Sequence, residues 1–253
     1  MPSRSFFQAM FAKAQALLEI NSFLSVYQAR KCLSMMLRLS HKDPLGVHRI
    51  LPYVMLRVCD EQVCYNFLKW WANRDSRPIK VGLDNNDASL NSDFQYLDLP
   101  NDDVFEPLLQ FPNPSANLSL DGLVALTLLK LRLLLDLQTY ELHLHDRSQA
   151  YKRHIGDFAL SRVRSWDSKR LSKVISSLTE EYRELYMEVH KKNSHFWGLL
   201  SSRKWDFEHG LLASYPAGSL EEAEAALIRC RQALEETEDA LDIFAADVHR
   251  LDP

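Results

Sequence analysis

The sequence predicts an all-α fold, built as a stack of antiparallel helical hairpins. Three observations carry this. Apolar residues recur at spacings of three and four through most of the chain. Only seven of the 253 residues are glycine, too few for the turns of an all-β fold, and neither GxGxxG nor GxxxxGK[ST] occurs. The stretch from Asp43 to Ala72 reads as two short helices around a polar turn. With 46 % hydrophobic residues the chain can bury one large core, so residues 1–253 are expected to form a single helical domain.

Taken in order, residues 5–20 and 24–39 form a first helical pair, broken at Asn21-Ser22. Phe6, Phe7, Met10, Phe11, Ala14, Leu17 and Leu18 line its first member, and Val26, Ala29, Leu33, Met36, Leu37 and Leu39 its second. The first eighteen residues carry Arg4 and Lys13 and no acid, faintly like a mitochondrial presequence. The regular apolar face favours a first amphipathic helix instead. Asp43-Pro44 then punctuates the chain. Ile50, Leu51, Val54, Met55 and Val58 face inward from the next helix, Cys59-Asp60-Glu61-Gln62 is its turn, and Val63, Phe67, Trp70 and Trp71 line the helix that follows.

Asp43-Pro44, Leu56, the turn, Cys64, Tyr65 and Leu68 resemble a tetratricopeptide repeat, in which small and large apolar residues interlock two helices. Val58-Cys59 stand where that repeat has its glycine. YVMLRVCDEQVCYNFLKWWA, VALTLLKLRLLLDLQ and HFWGLL resemble the helical region of a group of largely uncharacterised fungal proteins, some of which carry a MYND-type zinc finger. The likeness is scattered over residues 17–245, and the finger has no counterpart in this chain. What the resemblance implies is a tetratricopeptide-like stack.

Residues 73–118 are acidic and carry five prolines, yet Phe94, Tyr96, Leu97, Leu99, Val104, Phe105, Leu108, Leu109 and Phe111 are too many for a free linker. An ordered wrap is expected, with a flexible tip near Gly82–Asn91 and a short helix near Asp103–Gln110. Ser119 or Asp121 caps the helix over 122–144, which is apolar almost all round and should be the central spine. Residues 147–173 are basic. Helix follows from about Trp166 to Lys192, ended by Asn193-Ser194, and HFWGLL makes a short helix. Ser219 and Glu222 form a capping box for a last helix that the acidic run Glu235–Asp239 splits.

The chemistry is sparse. Cys59 and Cys64 lie near His48, but no orienting acid or oxyanion donor accompanies them, so two small residues at a helix contact is the stronger reading. His143 and His145 are about 200° apart on a helix and cannot share an ion. No set of four ligands has the spacing of a zinc site, and no cofactor motif occurs. The four cysteines, Cys32, Cys59, Cys64 and Cys230, sit in apolar segments as free thiols, which suits a reducing, cytoplasmic or nuclear setting. No apolar run of 18 residues lacks charge, so no membrane span is expected.

A binding module for other proteins is therefore the leading expectation, holding a peptide or helix in a groove between hairpins without catalysis. Trp70, Trp71, Tyr65, Lys69 and Arg74 are the expected partner-binding residues. An enzyme of an unrecognised helical class is the alternative. A third reading is nucleic-acid association through the basic 147–173 stretch with Tyr151 and Trp166, which the net charge of −4 opposes.

Overall fold

The computed structural model describes residues 3–40, 43, 45–73, 102–145, 155–207 and 209–248. The Asp-Pro punctuation at Pro44, the flexible tip at 82–91, and Arg74, Arg147, Tyr151, Lys152 and Arg153 lie outside them. Among the described residues the protein is all-helical, with eleven α-helices and no strand. No described helix is long and apolar enough to cross a membrane.

Local signals place the first elements. Helix α1 (Arg4–Ile20) is capped by Ser3, whose side chain accepts from the Phe6 amide, and it ends at Asn21 in the left-handed region, φ 53°. Ser22 and Ser25 cap α2 (Phe23–Leu39) reciprocally. With only Asn21 and Ser22 between them, α1 and α2 must run antiparallel, and they pack along their lengths. A 3-10 turn (Val47–Arg49) leads into α3 (Leu51–Arg57), where Pro52 occupies the first turn at no hydrogen-bond cost.

The polar turn is shorter than its sequence suggests. Glu61 already opens α4 (Glu61–Ala72), because the Asp60 carbonyl accepts from the Cys64 amide at 2.8 Å. Cys59 carries the reversal at φ 57°.

The expected helix over Asp103–Gln110 does not form. Pro107 has no N–H to return to Asp103, so the chain makes a turn at Asp103–Glu106 and a 3-10 turn at Leu108–Gln110. The strap 102–118 is nonetheless well seated, burying Val104, Phe105, Leu108, Phe111 and Leu118, and it includes the short α5 (Pro114–Asn117).

Helix α6 (Leu120–His145) is the spine. Leu123, Leu126, Leu128, Leu129, Leu133 and Leu137 are fully buried on different sides of it, since it is surrounded by α3, α4 and the helices that follow it. A short helix that periodicity does not reveal, α7 (Asp157–Val163), follows. Helix α8 (Ser168–Lys192), capped by Asp167, packs along α6.

Helix α9 (His195–Ser202) inserts Phe196, Trp197 and Leu200. The Trp197 ring stacks on Tyr186 at 4.2 Å, and its N–H donates to the Tyr186 carbonyl. Ser219 caps α10 (Leu220–Glu235), but Glu222 completes no box. Its carboxylate accepts from the Gly218 amide and from Asn193 instead. The acidic run does split the last helix: α11 (Ala240–Val248) turns back onto α9.

Candidate functional site

The strap is held by a buried ionic network. Lys69 pairs with Asp102 at 3.1 Å and with Glu106 more closely, and the Tyr65 hydroxyl donates to Glu106 at 2.6 Å. Beneath them Lys130 of α6 is wholly buried, 0 % exposed. Its ammonium donates to the carbonyls of Val104 (2.8 Å) and Glu106 (3.2 Å) and lies 2.9 Å from Glu181 Oε2 of α8. That oxygen makes no aligned hydrogen bond, so the contact is an ion pair held by charge. Burial pushes the Lys130 ammonium below its ordinary range against the pull of Glu181. Burial and the Glu106 carboxylate push the Tyr65 hydroxyl far up, so it stays a donor.

Between this strap and α8 runs a cleft of about 610 Å³. One wall is apolar: Pro107, Leu108, Leu109, Phe111 and Pro114. The other is a stripe of α8 carrying Glu180, Glu181, Glu184 and Glu188. Glu181 serves Lys130. Glu188 accepts from Lys191 and Ser115, and these bonds hold its carboxyl below the ordinary range. Glu180 and Glu184 are exposed and have no ion pair among the described residues. Leu109, on the opposite wall, is 97 % exposed. The apolar side chain and the two carboxylates thus stand unsatisfied across one cleft.

The residues expected to bind a partner fall differently. Tyr65 is fully buried and Lys69 is engaged with the strap, so both position the cleft's apolar wall from behind. Trp70 and Trp71 are both half-buried. His48 stacks on Trp71 at 4.2 Å with the rings 9° from parallel. Arg74 lies outside the described residues.

Cys64 is buried and its thiol is pushed far up by burial, while Cys59 is exposed yet also raised, by partial burial and by Glu61. Neither is poised as a thiolate. Within the basic stretch, Arg162 and Arg170 lie over Phe158 and Trp166, whose rings pack on Phe105. These aromatic faces are already covered. Among the described residues no three His, Cys, Asp or Glu side chains group for a metal.

Two histidine constellations escape sequence reasoning. Asp43 Oδ2 meets His48 Nδ1 at 2.5 Å and its carboxylate accepts from the amides of Val47 and His48. Burial opposes ionisation of Asp43, but these bonds outweigh it and hold the carboxyl below its usual range. Glu224, His209 and Tyr215 form a chain at 2.7 and 2.8 Å. Neither set lines the strap cleft or a second cleft of about 310 Å³ between α1, α3 and α10. Asp43 and His48, five apart across a turn, are within reach of a local reading. Nothing in the spacing of 209, 215 and 224 announces the other.

The comparisons with known proteins match this chain to no family model, no curated protein and no solved structure.

Proposed function

We propose that this protein is a binding module that holds a segment of a partner protein in the cleft between the 107–115 strap and α8, and that it performs no catalysis. The observation that carries the reading is Leu109. A large apolar side chain 97 % exposed on the rim of a cleft, in a chain that buries its other strap leucines, suits an anchor awaiting cover. Both histidine constellations stand away from this cleft, which favours binding over an enzyme of an unrecognised class. A tetratricopeptide-like stacking of the first hairpins belongs to the same proposal, supported by the successive packing of α1 on α2, α2 on α3 and α3 on α4.

The test is a photo-crosslinking amino acid placed at position 109 and, as a control, at the exposed but remote Phe23. Position 109 should label a discrete partner that position 23 does not. Reconstituted with that partner, Leu109→Asp should weaken binding about 30-fold, the size of a hot spot, with an unchanged melting curve. Identical labelling from both positions, or full affinity in Leu109→Asp, would overturn the proposal.

A further inference from the structure

Resting on that reading, we infer that the segment taken by the cleft is an extended strand of a partner protein in which basic and apolar residues alternate. Three features of the cleft converge on this occupant. The first is charge. Among the described residues no lysine, arginine or histidine lines the cleft, and of its four glutamates two are committed, to Lys130 and to Lys191 with Ser115. Glu180 and Glu184 are left, on adjacent turns of one helical face, and they call for cations. An acidic stripe alone would specify little, but this one faces an apolar wall across a defined gap.

The second feature is spacing. Four residues of α-helix advance about 6 Å, so Glu180 and Glu184 stand roughly one such step apart. Alternate residues of an extended chain are about 6.6–6.8 Å apart. Over this one step the mismatch is under about 1 Å, well within the reach of a flexible lysine or arginine side chain.

The third is shape. A helix carrying its side chains is about 10–12 Å across. An extended chain is thinner, and its successive side chains point to opposite sides. Laid along the cleft, one set meets the glutamate wall while the other meets Pro107, Leu109 and Pro114. Two unlike walls are what a strand of alternating character satisfies. The same carboxylates repel nucleic acid and acidic peptides.

Capped synthetic heptapeptides test this. One alternates leucine and lysine. A second carries the same residues in helical phase, and a third replaces lysine with glutamate. Titrated into the full chain, the alternating peptide should bind at least about tenfold more tightly than the helical-phase peptide, and more weakly as salt rises. The glutamate peptide should not bind. Glu180→Gln with Glu184→Gln should cost the alternating peptide about tenfold, while the melting curve stays unchanged because both side chains are exposed and, among the described residues, free of ion pairs. Equal binding of the two lysine peptides, an indifferent double variant, or no binding of any peptide would overturn the inference. A partner that is labelled from position 109 but engages through a helix or an uncharged segment would sink this inference and leave the docking reading standing. No labelling at 109 would remove both.

Discussion

Replacing Lys130 with methionine isolates what anchors the strap. The substitution keeps the stem's volume and apolar packing but removes the ammonium, which is 0 % exposed and bonds two strap carbonyls as well as pairing with Glu181. Glu181, itself buried, keeps only the Ser177 hydroxyl on Oε1. Removing one member of a buried ion pair costs about 3–5 kcal/mol, because the remaining charge is left uncompensated. Against a total stability of roughly 5–15 kcal/mol, that is a large fraction. For a chain of this length the melting temperature should fall by about 10 °C.

Adding Glu181→Leu should recover part of the loss. The stranded carboxylate disappears, and the Val104 and Glu106 carbonyls remain short of a donor at about 1–3 kcal/mol each. Urea denaturation of the two single variants and the double closes the cycle. The double variant should be more stable than Lys130→Met alone. Strictly additive losses, or a Lys130→Met protein as stable as the parent, would refute the reasoning. In that case the network does not hold the strap.

Three further outcomes follow from other contacts. Leu128→Asp puts a charge at a fully buried point of α6 and should prevent folding, whereas Leu135→Asp, at a half-buried position, should be milder; circular dichroism separates them. Asp121→Asn leaves the buried Arg229 guanidinium without its bidentate carboxylate and should cost about 3–5 kcal/mol in urea unfolding. The folded-state carboxyl of Asp43 is depressed, so its stabilisation is complete above the unfolded value near pH 4 and drains away as pH falls through the lower folded value. Asp43→Asn, tolerated at φ 41°, should flatten that acid limb of stability against pH. An unchanged limb would mean that the His48 bond contributes nothing.

Much of the helical framework is legible in the amino-acid sequence. The breaks at Asn21-Ser22 and Asn193, the cap Ser219, and the all-round apolar spine all come from interactions within a few residues, which periodicity and capping chemistry report directly. The departures are local too. Apolar spacing predicts a helix across Pro107, where the missing N–H breaks it, and the seven residues of α7 give too few turns for a period to emerge.

The cleft is of another kind. Leu109 and Glu184 lie far apart in the chain, as do Lys130 and Glu181, and Asp121 and Arg229 are separated by 108 positions. Tyr65 and Lys69 are expected outside and are turned inward, because the strap that claims them arrives from forty residues on, as in the Tyr65–Glu106 bond across 41 positions. Helical period says which residues share a face. It does not say which face meets which, since that depends on how whole helices dock and on which side chains fill the space between them. Only once α8 and the strap are both laid on α6 do an apolar wall and an acidic one stand opposite each other.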